Sequence, residues 1–271
     1  MPHPREGYVY ATTGEDYTIL ARRSARTLKQ VCPGACIDLF TDQDVVDPVF
    51  DRICRLDRST HRPKLEAMGR SRFARTIMLD ADTVPLTNIS ELFSMARVYP
   101  LSAMTGWSRP AFMLREQADI PRWYPHFNSG VMVFRRGRRV RQLARAWAAD
   151  MDSSGRQFDQ TSLRRLCWDL DISVGAIPQE YNLILLDLLK IWGPAMGAPR
   201  LLHIRDLHAS PAGDPQSPFD LAQLLPPQQV TMIKTLFAAE ASQGTAPPAL
   251  PVWRRNRAGL AAIRLWKRLK L

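Results

Sequence analysis

Short apolar runs alternate with longer stretches of helical spacing through the first two hundred residues. Residues 8–12 form a β-rich run, a polar turn follows, and from 18 to 31 the apolar positions Ile19, Leu20, Leu28 and Val31 recur near helical spacing. Pro33 and Gly34 stop that helix, and residues 36–40 supply a second run of strand length. The same alternation predicts a helix over 64–72, a strand over 76–79, a short helix entered at Asn88 or Ser90, and a strand over 131–134. Helices through 144–149 and 159–168, strands at 172–177 and 201–204, and a late helix through 230–239 complete the pattern. Strands alternating with helices predict an α/β fold with a mainly parallel sheet covered on both faces. Ligands in such sheets bind beyond the carboxyl ends of the strands, so residues just after a strand carry the most weight.

Composition changes this picture mainly at the end of the chain. With 271 residues and 45% hydrophobic content, one sizeable core plus a short appendage is expected. Residues 1–240 read as the catalytic body, 241–252 as a linker rich in Pro, Gly and small residues, and 253–271 as a basic tail. The formal net charge is +11, and no acid follows Glu240. Arg254, Arg255, Arg257, Arg264, Lys267, Arg268 and Lys270 account for seven of those charges and leave +4 for everything before them. Trp253 and Trp266 among these cations suit a membrane interface beside anionic headgroups, or alternatively base stacking in a nucleic-acid-binding tail. Cys32, Cys36, Cys54 and Cys167 form neither a CxxC pair nor a dense framework, so core thiols in a reducing compartment are expected. Neither a secretory signal nor an apolar run of spanning length is expected.

Four Asp-x-Asp pairs occur: Asp42/Asp44, Asp80/Asp82, Asp150/Asp152 and Asp169/Asp171. Position separates them. Asp150/Asp152 ends a helix and Asp169/Asp171 bridges a helix and a strand, where solvated acids are ordinary. Only Asp80-Ala81-Asp82 follows a clean apolar strand and precedes a turn, where two carboxylates can hold one hard cation that bridges diphosphate oxygens. The same residues, with Thr83 and Val84, also fit the DxDx[TV] strand-end pattern of haloacid dehalogenase-type phosphatases. That pattern normally lies near an N-terminus, with glycine after the second aspartate. Here a complete strand–helix–strand unit precedes it.

Several stretches occur in a telling order: YVYATTGEDY, KLEAM, IMLDADTVPLTNISELF, HFNSGVMVF, FDQTSL, QEYN and LLHI. Together they resemble the retaining glycosyltransferases of the glycogenin and bacterial lipooligosaccharide galactosyltransferase type, over most of residues 7–208. The resemblance implies a GT-A fold and a divalent cation, Mn²⁺ or Mg²⁺, on Asp80, Asp82 and His203, a mixed ligand set that suits Mn²⁺. It implies a UDP-sugar donor, with the base met by Ala11, Thr12 and Thr13 and stacked on Tyr17, and with Lys64 near the phosphates. Ala81, between the two acids, belongs to the same donor-binding turn. Asn128 and Ser129 are implied at the donor sugar, and Asp159 and Gln160 beside the transferred sugar. Each has a plainer reading: Tyr17 packing the first helix, Asn128 in a turn, Asp159 as a helix cap, Lys64 as a solvated charge. After His203 the chain departs from the family, because Ile204-Arg205-Asp206-Leu207-His208 replaces the usual run carrying a phosphate-binding lysine. Arg205 and His208 are the candidates to replace it. The implied acceptor is a saccharide or lipid-linked saccharide, as in lipopolysaccharide synthesis. The implied location is peripheral, on the inner face of the cytoplasmic membrane through the basic tail.

Overall fold

The protein is described from a computed structural model, which covers residues 5–59, 62–106, 110–155, 158–193 and 196–242. The expected tail and all but the first two residues of the expected linker lie outside the described residues.

Nine strands and eight α-helices are present among the described residues. The first half runs β1 (Glu6–Thr12), α1 (Glu15–Val31), β2 (Ile37–Thr41), β3 (Arg52–Arg55), α2 (Pro63–Arg70), β4 (Arg75–Leu79) and β5 (Thr83–Pro85). The second runs α3 (Met95–Val98), β6 (Leu101–Thr105), α4 (Ala111–Glu116), β7 (Phe127–Arg135), α5 (Arg138–Ser154), α6 (Asp159–Asp169), β8 (Val174–Ile177), β9 (Leu201–His203), α7 (Leu221–Leu224) and α8 (Pro227–Ser242). Local chemistry explains the first helix. Gly14 enters it with φ 82°, a backbone angle that glycine adopts without strain, Glu15 and Asp16 complement its positive end, and Lys29 its negative one. At the other end of the chain, Ala241 and Ser242 finish α8 rather than begin a linker.

Seven strands form one sheet in the order β3-β2-β1-β4-β7-β6-β8. Neighbours are parallel except β7, which runs antiparallel to both β4 and β6. The expected mainly parallel sheet is therefore present, with one inverted strand that the hydrophobic pattern does not announce. Alternation along the strands feeds two cores. Tyr8, Tyr10, Ile77, Leu79, Val131 and Val133 pack on one face with α1, α8 and the segments around Leu183 and Leu202. Val9, Met78, Met132 and Phe134 pack on the other with α2, α5 and α6, where Trp147 is fully buried. A separate ribbon pairs β5 with β9, antiparallel, setting Thr83 opposite His203.

Candidate active site

The site is built at the carboxyl end of β4. The strand's next residue, Asp80, donates its N–H to the carbonyl of Gly130, and the chain turns at once. The Thr83 N–H and Oγ1 both donate to the Asp80 carbonyl, at 3.2 and 2.7 Å, which closes the turn over residues 80–83. Asp80 and Asp82 therefore converge through a tight turn. Ala81 between them is buried, and Asp82 is 1% exposed.

His203 reaches the turn from 120 residues away because β5 and β9 pair. The Ile204 N–H donates to the Asp82 carbonyl and the His203 N–H to the Leu183 carbonyl, so the backbone on both sides of the imidazole is fixed. The ring lies over Gly130, where any Cβ would collide with its Cε1 and Nδ1. Glycine at 130 is thus a spatial requirement of the histidine's position.

The hydrogen bonds around this ring decide its tautomer. Gly130 N–H donates to Asn128 Oδ1 at 2.9 Å, and Asn182 Nδ2 donates to the same oxygen at 2.8 Å. Asn182 must then present Oδ1, an acceptor only, to His203 Nδ1 at 3.0 Å. Nδ1 carries the proton, and in the neutral ring Nε2 turns a lone pair toward Asp82 Oδ2 at 3.2 Å. Two acceptors facing each other in a buried site require an electron-deficient partner. Neither oxygen of Asp82 receives a hydrogen bond of good geometry. One ligand atom each from Asp80, Asp82 and His203 lies within 4.8 Å of the other two. Ligands on opposite sides of an ion at about 2.1 Å stand about 4 Å apart, so the residues present fit a divalent cation. Burial raises the pKa of Asp82, but where His203 and His208 carry protons on the nitrogens that face it, without a metal, they lower it by more and hold it well below the usual carboxylate range.

A second wing extends from Asp80. Lys64 Nζ lies 2.7 Å from Asp80 Oδ1 and 3.8 Å from Asp159 Oδ2, and it donates to the Ser129 carbonyl and Oγ at 3.3 Å. Burial works against the charge on Lys64, but Asp80 and Asp159 outweigh it and raise its pKa above the usual lysine value. Ser129 Oγ donates to Asp159 Oδ2 at 3.1 Å. Asp159 is the first residue of α6, whose N-cap is Phe158. Gln160 beside it is half-buried.

The opposite wing carries His208 and Tyr17. His208 sits on a 3₁₀ turn, Arg205–His208, with Nε2 2.7 Å from Asp82 Oδ2. The contact with Asp82 raises its pKa against the opposing effect of partial burial. Its Nδ1 lies 3.2 Å from the Tyr17 hydroxyl, and the two rings meet edge to face at 4.9 Å. Tyr17 remains 42% exposed and so does not pack the start of α1. Thr12 Oγ1 is tied to Thr18 Oγ1 at 2.9 Å, while Ala11 and Thr13 stay half-buried at the end of β1. Arg205 is exposed on the same turn as His208.

Most sequence-predicted residues thus gather around one turn: Asp80, Asp82 and His203 at its centre, Lys64, Asn128, Ser129 and Asp159 on one side, His208 and Tyr17 on the other. Two participants were not singled out from sequence. Asn182 sets the histidine tautomer, and the QEYN stretch was its only signal. Asp42, at the end of β2, accepts from the Gly14 N–H at 2.9 Å and from Ser59 Oγ, and so shapes the loop after β1. Asp152 and Asp169 instead pair with Arg58 and Arg165 at the surface, as expected of solvated acids.

Comparison with known proteins bears on the family and the fold. The sequence profile described as nucleotide-diphospho-sugar transferase matches residues 22–203, two thirds of the chain. Among curated proteins no match is found. Solved structures similar to this one include the galactosyltransferase LgtC in complex with donor and acceptor sugar analogs, at 10% identity and a TM-score of 0.56, covering 89% of this chain and 98% of that one. The apo-form glycosyltransferase GlyE of Streptococcus pneumoniae TIGR4 is similar at 15% identity and a TM-score of 0.55, covering 91% and 65%. The bifunctional WbbM glycosyltransferase matches at 13% identity and a TM-score of 0.52, covering 73% and 45%. At these identities the likeness speaks for the fold, which is that of GT-A glycosyltransferases. The profile match, spanning the Asp80 turn and ending on His203, is what assigns the family: this chain is a member of the nucleotide-diphospho-sugar transferases.

Proposed function

We propose that the protein transfers a hexose from a UDP-sugar, UDP-galactose or UDP-glucose foremost, to a saccharide or lipid-linked acceptor with retention at the anomeric carbon. The observation that carries this reading is the convergence of Asp80, Asp82 and a tautomer-fixed His203 at the end of β4. A divalent cation held there, Mn²⁺ or Mg²⁺, supplies charge neutralisation for the departing diphosphate. The protein's own groups do the rest. Ala11, Thr12, Thr13 and Tyr17 receive the base, and the exposed face of the Tyr17 ring is available for stacking. His208 and Arg205, on one turn beside Asp82, serve the phosphates in place of the family's lysine.

Lys64 stays protonated between two carboxylates and holds Asp80 and Asp159 in place as anions. Asp159, with one oxygen fixed by Ser129, then presents negative charge toward the anomeric centre as the sugar bond to the diphosphate breaks and positive character grows there. Gln160 and Asn128 orient the sugar hydroxyls. The basic tail attaches the enzyme peripherally to the inner face of the cytoplasmic membrane, where lipid-linked acceptors of lipopolysaccharide type reside.

A thermal-shift screen of nucleotide-sugars with and without Mn²⁺ tests donor and metal together, because a ligand that binds only the folded chain raises its Tm. UDP-galactose or UDP-glucose should raise Tm, and more so with Mn²⁺ present. Stabilisation by other nucleotide-sugars only, or indifference to the metal, would contradict the reading.

A further inference from the structure

The remaining net charge of the body is small, yet it is not evenly spread. Between Arg135 and Ala149 stand six arginines, Arg135, Arg136, Arg138, Arg139, Arg141 and Arg145, and no acid. All six are exposed, and none forms an ion pair among the described residues. Arg136 and Arg139 reach only backbone carbonyls, those of Arg72 and Asp171.

Helix geometry organises them. Val140, Leu143, Ala144 and Trp147 fall at i, i+3, i+4 and i+7 and are buried. Arg138, Arg141, Gln142 and Arg145 repeat the same spacing on the exposed outer side. This arrangement costs the helix stability twice. Like charges at i, i+3 and i, i+4 repel, and cations in the first turn oppose the helix dipole, which has no acid there and no side-chain cap. By contrast, α1 carries Glu15 and Asp16 in its first turn and α6 carries Asp159. On α5 local stability is set aside in favour of an unbroken cationic face.

We propose that this arginine face of α5 is a docking surface for an anionic phospholipid bilayer. A row of unpaired guanidinium groups matches a plane of phosphate headgroups, because each planar fork pairs with phosphate in two-point fashion. Nucleic acid is the less fitting polyanion. The outer face of α5 offers no aromatic ring on which bases can stack, its one tryptophan being wholly buried. The arginine face begins at the far end of the sheet from the Asp80 turn, since Arg135 pairs with Arg75 at the start of β4, and α5 then runs back until Trp147 donates to the Asp159 carbonyl at 3.0 Å. The inference stands on this face alone and is independent of which sugar is transferred.

The test is sedimentation of the full chain with vesicles of equal parts phosphatidylcholine and phosphatidylglycerol. One variant combines Arg138→Gln, Arg141→Gln and Arg145→Gln. A charge-matched control combines Arg97→Gln, Arg115→Gln and Arg122→Gln, exposed arginines elsewhere on the body. The α5 variant should partition about a hundredfold more weakly, and the control should lose far less. Arg138→Glu adds a signature that misfolding cannot imitate, a higher Tm together with weaker vesicle binding. Equal losses in the two triple variants would overturn the proposal. So would loss of binding to a single-stranded oligonucleotide by the α5 variant with vesicle binding unchanged.

Discussion

At the scale of single residues, the site depends on groups that never face the donor. Asn182 lies wholly buried, and its amide can serve Asn128 and His203 only in one orientation. Partners that fix the tautomer of a metal-ligating histidine are typically worth about 10–100-fold in metal affinity. Asn182→Leu should therefore weaken Mn²⁺ binding by that factor in a calorimetric titration of the sugar-free protein, whereas Asn182→Asp, which keeps an acceptor opposite Nδ1, should retain more of it. Equal affinity in the wild type and the leucine variant would show that the tautomer is set elsewhere. Asp80 and Asp82 were legible in the sequence because an apolar strand ends directly before them. Asn182 was not, because its meaning lies in a three-way contact among residues 128, 182 and 203, which are remote in sequence.

Elements supply the rigidity on which these contacts rely. Asp47, with no exposed side-chain surface, receives Arg22 Nε at 2.5 Å and Arg26 Nη2 at 2.9 Å, tying α1 to the segment after β2. Burial raises the Asp47 pKa, but the two arginines and the Val49 N–H lower it by more, so the folded value is below the unfolded one. A depressed carboxylate contributes stability that is fully present above its unfolded pKa, about 3.9, and is lost as pH falls through the lower folded value. Asp47→Asn should cost about 2–3 kcal/mol in denaturant unfolding at neutral pH, and the gap to wild type should narrow below about pH 4. A constant gap across that range would assign the effect to packing instead. Strands of Val, Ile and Leu character were readable, but β3 and β6 were not. Arg52–Arg55 alternates charge with apolar residues over only four positions, and Leu101–Thr105 contains Ser, Ala and Met, which carry little strand signal. The pairing of β5 with β9, which delivers His203, is long-range and leaves no local trace.

For the whole molecule, the arginine face starts at the end of the sheet opposite the Asp80 turn. The carboxyl ends of β1, β2 and β4 carry the Asp80 turn and the wing of Tyr17 and His208, while the start of β4 and the end of β7 lead into the arginine face. The net charge concealed this second feature, because a sum of +4 over the body does not record that acids and bases are segregated. The inverted direction of β7 was equally hidden, since a strand buried on both faces reads the same either way. The central claim is that Asp80, Asp82 and His203 hold one divalent cation on which sugar transfer depends. Its most direct test is electron paramagnetic resonance of Mn²⁺ titrated into wild type and Asp82→Asn, followed on the same samples by UDP-hexose turnover. The account predicts one tightly bound Mn²⁺ and metal-dependent turnover in wild type, and loss of both in an Asp82→Asn protein whose circular dichroism is unchanged. Undiminished Mn²⁺ binding and turnover in that folded variant would contradict it.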